Sequence, residues 1–245
     1  MITYDSVSKY FTSTLLSSEN VFAAFATRAQ GDGKHRFENI FSFLKSNDIN
    51  YKKVVMMEQI HSVNVVFYRS KGGSDFVKLE DTDGVITDEN NLALTTVTAD
   101  CLPILYKDDT TGLIAASHQG WRGSLKRMPQ KIVHGLLSRG AKLSSIKVSL
   151  GPAIGECCYD IDEDRYWEFR QEFDGYSDKI FHHHRGKLHL NLTYLNYLLL
   201  KEIGIVEMNI DHFPFCTKCD SARFFSYRKE KQQLQGEMFS LIVKT

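Results

Sequence analysis

Three short segments of this chain each set a potential metal ligand beside an apolar run. EQIHS (58–62) carries His61, TADCLPIL (98–105) carries Cys101, and AASHQGWRG (115–123) carries His118. A thiolate and two imidazoles are good zinc donors, binding at roughly 2.0–2.3 Å. Three protein ligands leave a fourth position open, as in a catalytic zinc, where a bound water becomes acidic enough to supply hydroxide near neutral pH. No two of the three residues share a short motif such as HxxxH, so only the fold can bring them together. Taken singly, a cysteine after a strand is a small buried hydrophobe, and a histidine is a hydrogen-bonded or surface residue.

The flanking elements must do the positioning. VFAAFATR (21–28) and KKVVMMEQIHSVNVVFY (52–68) are rich in β-branched and aromatic residues, and the second breaks near Gln59–Ser62 into two strands. GVITD (84–88) and ALTTVTAD (93–100) flank Glu89-Asn90-Asn91, which reads as a hairpin turn. LPILYKDDTTGLIAASH (102–118) holds two apolar runs around a polar turn at Asp108–Gly112. Strands at equivalent ends of one sheet would let His61, Cys101 and His118 converge. Helices are expected over 36–47, 124–139, 162–173 and 191–203, the last with Asn191 as N-cap and Gly204 as stop. Final strands fall at 146–150, 209–213 and 237–243. Hairpins outnumber βαβ units, so the expectation is an α+β fold with mixed β-sheets and flanking helices.

Composition narrows the function. Apolar residues make up 42%, with 16 Phe and 11 Tyr, enough for a real core. Lys plus Arg equals Asp plus Glu at 30 each, which argues against a nucleic-acid partner bound through its phosphates. The start, MITYDSVSKYF, lacks a basic region followed by an apolar run, and no stretch approaches the ~18 apolar residues of a membrane span. No linker or repeat divides residues 1–245, so one catalytic domain is expected. The five cysteines (101, 157, 158, 216 and 219) read as thiols, ligands or redox groups, and the compartment as the cytoplasm.

QIHS, TADCLPILYKD, AASHQGWRG, LGPAIGECCYDI, and CTKCDSARFFSYRKE with GEMFSLI occur in the order of the blocks of the YfiH family. This family is also called the laccase-domain or multicopper polyphenol oxidase family, and the chain resembles it from Thr27-Arg28 to the C-terminus. The resemblance implies that His61, Cys101 and His118 are zinc ligands, in a layered α+β fold related to cysteine hydrolases. It implies phosphorolysis of adenosine, inosine and S-methyl-5'-thioadenosine, with adenosine deamination; the older family label is copper-dependent phenol oxidation. Two departures stand out. Gln119 replaces the Ala of the family's HAGW, and Glu237 replaces the Arg that follows the equivalent of Gly236.

Under that reading the partners are purine nucleosides and phosphate. Asp100, beside Cys101, is a candidate acid/base, or else a strand-end hydrogen-bond acceptor. Gln59 would face the same side as His61 if the stretch is extended, to bind substrate or orient the ligand. Of Arg28, Arg122, Arg223 and Arg228, the first two are favoured as substrate or phosphate contacts, against ordinary surface ion pairing. Trp121 and Phe224-Phe225 could stack a purine or fill core.

Cys216-x-x-Cys219 has redox or half-zinc spacing, but no second CxxC completes four ligands, so a structural zinc is not expected. Cys157-Cys158 read as packing residues, and His182-His183-His184 as a solvated loop. Competing functions are a copper polyphenol oxidase, a metal-free cysteine hydrolase using Cys101, and a nucleoside-binding module without turnover. Oligomeric state stays open.

Overall fold

Residues 238–243 are all buried, and alternate side chains enter different cores: Met238 and Ile242 join one, Phe239, Leu241 and Val243 another. A strand apolar on both faces must be covered on both. The computed structural model, which describes residues 1–245, supplies those covers. Its first strands are β1 (Ile2–Asp5), β2 (Tyr10–Ser13), β3 (Val21–Phe25), β4 (Lys53–Met57), β5 (Val65–Phe67), β6 (Phe76–Leu79), β7 (Gly84–Thr87) and β8 (Leu92–Thr98). There follow β9 (Leu102–Asp108), β10 (Ile114–Gln119), β11 (Ile146–Leu150), β12 (Phe181–His184), β13 (Lys187–Leu190), β14 (Ile210–His212) and β15 (Met238–Lys244). The helices are α1 (Glu38–Ser46), α2 (Trp121–Leu125), α3 (Met128–Leu137), α4 (Glu163–Glu172), α5 (Ser177–Ile180), α6 (Leu192–Glu202) and α7 (Tyr227–Glu230).

Two mixed sheets face each other. The larger runs β1-β2-β3-β15-β8-β4-β6 and the smaller β14-β11-β9-β10-β7-β5. Between them lies a core to which Phe25, Val55 and Leu94 come from the larger sheet and Val85, Leu105 and Ile114 from the smaller. The outer face of the larger sheet is sealed by Ile40, Phe43 and Leu44 of α1. That of the smaller sheet is sealed by Ile132, Val133 and Leu136 of α3 and by Leu195 and Leu199 of α6. The result is a layered α+β fold with mixed sheets and flanking helices, as the sequence leads one to expect. No helix is long and apolar enough to cross a membrane.

The differences from expectation have local causes. β7 and β8 form no hairpin: β7 pairs with β10 and β5, whereas β8 pairs with β15 and β4. Both strands are buried along their whole length and have no polar face to expose, so each belongs inside a different sheet. The expected helix over 124–139 is two helices, because Arg127 adopts a left-handed φ of 59° and Pro129 opens α3. The histidine tract is exposed, as a solvated segment should be, yet it is strand β12, paired to β13 with His182 opposite His189. Arg185 and Gly186, both at positive φ, make the tight turn that such a hairpin needs.

Candidate metal centre

Two of the three ligand segments are places where the chain leaves one sheet for the other. His61 lies between β4 of the larger sheet and β5 of the smaller, and Cys101 between β8 of the larger and β9 of the smaller. His118 is the penultimate residue of β10, where it sits opposite Pro103 in the β9 register and so near Cys101. Convergence therefore comes mainly from strand crossover between sheets, and only for Cys101 and His118 from neighbouring strands of one sheet. The donor atoms of the three residues all lie within 4.8 Å of one another. Cys101 Sγ is 3.8 Å from His61 Nε2, and the two imidazoles meet edge to face with centroids 4.8 Å apart.

Asp83 holds this arrangement together. It is buried, and its carboxylate accepts from the amides of Ile60 (3.2 Å), His61 (3.1 Å) and Ser62 (2.7 Å) and from Ser62 Oγ (2.6 Å). Gathering three consecutive amides onto one carboxylate keeps His61 at its left-handed φ of 61°. His118 Nδ1 also meets Asp83 Oδ1 at 2.8 Å, which leaves Nε2 as the free donor. Sequence reasoning missed Asp83; its only signal is an acidic residue at the foot of the GVITD run.

The charges are mutually arranged. Burial pushes the Asp83 carboxyl up, but hydrogen bonds from His118 and Ser62 outweigh it and hold the group below its ordinary value. Burial also raises the Cys101 thiol, yet the charge and hydrogen bonding of His118, with a smaller share from His61, bring it down to about 7. His118 is pushed down by burial and more strongly up by Cys101 and Asp83, reaching about 9. A thiolate is thus available near neutral pH. Gly120 supplies the space: a Cβ there would stand 2.7 Å from His61 Cδ2 and 3.2 Å from Cys101 Sγ.

The three donors line one cavity of about 720 Å³. Its walls include Trp121, Ile154, Tyr159 and Leu192, with the cations Lys34, Lys78, Arg165 and Arg228. Lys34 is paired to Glu237 at 2.5 Å and Lys78 to Glu58 at 2.8 Å. Arg228 is fixed by Asp160 (2.9 Å) with its guanidinium over Tyr159, and Arg165 lies over the Trp121 ring with a buried Nε that has no partner.

The other expected site residues divide. Gln59 lines the cavity, but its amide is spent on β8: Oε1 accepts from Val97 N and Thr96 Oγ1, and Nε2 donates to Val97 O. It is placed to orient the His61 loop. Asp100 touches the cavity, while its carboxylate turns away to accept from Thr217 Oγ1 (2.6 Å), Ser226 Oγ (3.0 Å) and the Arg228 amide (2.7 Å). It acts as a latch for the C-terminal segment. Arg28 lies outside the cavity, bonded to Glu230 and the Phe224 carbonyl and stacked on Phe225. Arg122 is also outside, exposed on α2 against Trp121. Helix geometry turns Arg122 outward, one residue along from the cavity-lining Trp121. Of the aromatics, Trp121 lines the cavity, whereas Phe224 and Phe225 are core. Gln119 is fully buried and donates to Ser117 Oγ, beside the Tyr106 hydroxyl.

Residues 13–245 match the model of a family described as "multi-copper polyphenol oxidoreductase laccase". The chain belongs to this family. An adenosine deaminase, RL5, from an unknown prokaryotic organism is 26% identical over 236 residues, covering 87% of this chain and 90% of the relative. Purine nucleoside phosphorylase YlmD of Geobacillus stearothermophilus is 32% identical over 195 residues, covering 77% of this chain and 71% of the relative. The crystal structure of the Bacillus licheniformis hypothetical protein YfiH superposes with a TM-score of 0.84 at 27% identity, covering 92% of this chain and 93% of that one. Both named relatives are enzymes, and by family so is this chain. The laccase-family match spans all three donors, Asp83 and Gly120.

Proposed function

We propose that the chain is a zinc-dependent purine nucleoside phosphorylase with adenosine deaminase activity, acting as one catalytic domain on adenosine, inosine or S-methyl-5'-thioadenosine. The observation that carries the metal is the His61–Cys101–His118 donor set with Asp83 on the far nitrogen of His118. A carboxylate on the non-ligating nitrogen is the usual support of a metal-bound imidazole. The set is open on the cavity side, and one thiolate with two imidazoles suits zinc. The activities for which RL5 and YlmD are named support the substrate class.

A metal held there supplies Lewis acidity toward the purine or an acidified water. The remaining work falls to the chain's own side chains. Trp121, Ile154 and Leu192 give the apolar wall that excludes water around a flat base. Arg228 and Arg165 are the guanidinium groups placed to hold phosphate while its oxygen bonds to the anomeric carbon and the carbon–N9 bond breaks. Tyr159 lines the same cavity with its hydroxyl, pushed by burial up to about 12, fully protonated at neutral pH and so able to donate a hydrogen bond to a purine nitrogen. Five free thiols suit a reducing compartment, and we place the enzyme in the cytoplasm.

The test is product analysis with adenosine. Phosphorolysis yields adenine and ribose 1-phosphate only with phosphate, and deamination yields inosine without it. No phosphate-dependent base release from any of the three nucleosides by zinc-loaded protein would overturn the reading. Arg228→Gln should raise the phosphate KM at least tenfold and leave deamination within about twofold. Arg122→Ala should leave both activities unchanged.

A second reading has one specific observation in its favour: without a metal, Cys101, His118 and Asp83 have the roles of a Cys–His–Asp triad. Alkylation of Cys101, followed by peptide mass mapping, separates the two. A metal-bound thiolate is protected until chelator is added, whereas a catalytic thiolate is labelled at once.

A further inference from the structure

Four of the five cysteines lie outside the site just described, and the fold brings them to one point. Cys157 and Cys158 follow β11, and Cys216 and Cys219 follow β14; all four sulfurs lie within 4.8 Å of one another. Cys219 Sγ is 3.6 Å from Cys157 Sγ and 3.4 Å from Cys158 Sγ. Cys158 does pack against the core, as expected, while Cys157 is exposed; what the structure corrects is the expectation that Cys216-x-x-Cys219 lacks partners. The second pair need not be a CxxC; an adjacent pair on a neighbouring loop completes the set.

We propose that Cys157, Cys158, Cys216 and Cys219 form a second, structural metal site that takes one Zn(II) in a closed tetrathiolate shell. Zinc–sulfur bonds of about 2.3 Å in a tetrahedron set sulfur–sulfur edges of about 3.8 Å, close to the separations here. A disulfide would join two sulfurs at about 2.05 Å, far shorter than the 3.6 and 3.4 Å from Cys219 Sγ to Cys157 Sγ and Cys158 Sγ. All four cysteines are free. A single ion fits between sulfurs this close. Loading breaks four S–H bonds, releases four protons and forms four Zn–S bonds, with no change of oxidation state.

The surroundings are built for the approach of two loops. Residues 213–226 run from β14 to α7 without a strand or α-helix, a length at which loops usually need some other tie. Thr217 N donates to Ala153 O at 3.0 Å, and Ala153 bridges Cys216 in parallel register. Gly155 lets the backbones close: a Cβ there would stand 3.0 Å from Cys216 Cβ and 3.4 Å from Cys157 Sγ.

The site reaches the catalytic cavity through its own loops. Ile154 and Tyr159, on either side of the Cys157-Cys158 pair, line the cavity, and Thr217 donates to the carboxylate of Asp100 beside Cys101. The second metal would therefore hold one wall of the cavity and the latch at Asp100.

Metal content and sulfur coordination of the full-length protein, purified without added metal, test this directly. Cys101→Ala removes a donor from the first centre and leaves these four. That variant should retain one zinc per chain, with four sulfur neighbours by X-ray absorption. After cobalt exchange it should show the intense bands of tetrahedral cobalt–thiolate. The four thiols should react with a disulfide reagent at least tenfold more slowly before chelation than after it. Cys216→Ser with Cys219→Ser should abolish the tetrathiolate spectrum; if that variant does not fold, the Cys101→Ala spectrum decides alone. Absence of zinc from Cys101→Ala, coordination by fewer than four sulfurs, or a disulfide among these residues would each overturn the proposal. Because the first centre is disabled in that variant, failure of the nucleoside reading would leave this result intact.

Discussion

His61, Cys101 and His118 could be picked out by type and by their places at the ends of apolar runs, but the residue that organises them could not. An aspartate before a strand is ordinary, and nothing near position 83 in the sequence says that it will meet residues 60–62 and 118. Its removal should be telling. Asp83→Asn should weaken metal binding about 10–100-fold in a chelator competition, since the His118 imidazole loses its orienting carboxylate. An unchanged affinity would show that the hydrogen bond has no bearing on the metal. The same group predicts a pH dependence of stability. Folding holds its carboxyl below the ordinary 3.8, so its contribution is complete well above that value and is lost as pH falls through the lower folded value. Urea midpoints of wild type and Asp83→Asn should therefore differ at neutral pH and draw together in strong acid. The arginines show the opposite limit of sequence reading: Arg28 and Arg122 have the right chemistry, but ion pairing and helix phase turn them from the cavity, while Arg165 and Arg228 occupy its wall.

At the scale of elements, most strands and helices follow from apolar period and caps. Asn191 caps α6 by accepting from Tyr194 N at 2.9 Å, and strand 146–150 falls where its apolar residues place it. What period cannot tell is which sheet a strand joins. A fully buried strand such as β8 has no polar face to mark its partner, so the turn at 89–91 reads as a hairpin while the chain actually crosses between sheets. The crossing at Asp100, with a φ of 88°, is what delivers Cys101. Asp100→Ala should destabilise the fold by about 2–4 kcal/mol, because Thr217, Ser226 and the Arg228 amide all lose their acceptor. Limited proteolysis within 213–226 should rise with it; unchanged stability and cleavage would show that the latch is dispensable. The turn after β10 carries a second element-scale prediction. Gly120→Ala places a methyl against His61 and Cys101, and should cut metal affinity at least tenfold while circular dichroism stays native.

For the whole molecule, two sheets packed face to face create a seam, and the strands that cross it bring distant parts of the chain to one cavity. The two clusters of candidate donors arise differently: His61 and Cys101 come from crossovers between the sheets, whereas the four cysteines come from loops that leave β11 and β14, parallel neighbours within the smaller sheet. Neither is a short motif, so spacing points to neither: the family resemblance implies the first set, and the folded chain brings the four sulfurs of the second together. The decisive measurement is hypoxanthine release from inosine and phosphate by chelator-treated protein as zinc is restored, compared with Cys101→Ala under the same conditions. The expected result is activity that vanishes on chelation, returns as the open site fills, and stays absent in Cys101→Ala. Phosphorolysis that survives chelation, or persists undiminished in Cys101→Ala, would contradict the assignment of this chemistry to His61, Cys101 and His118.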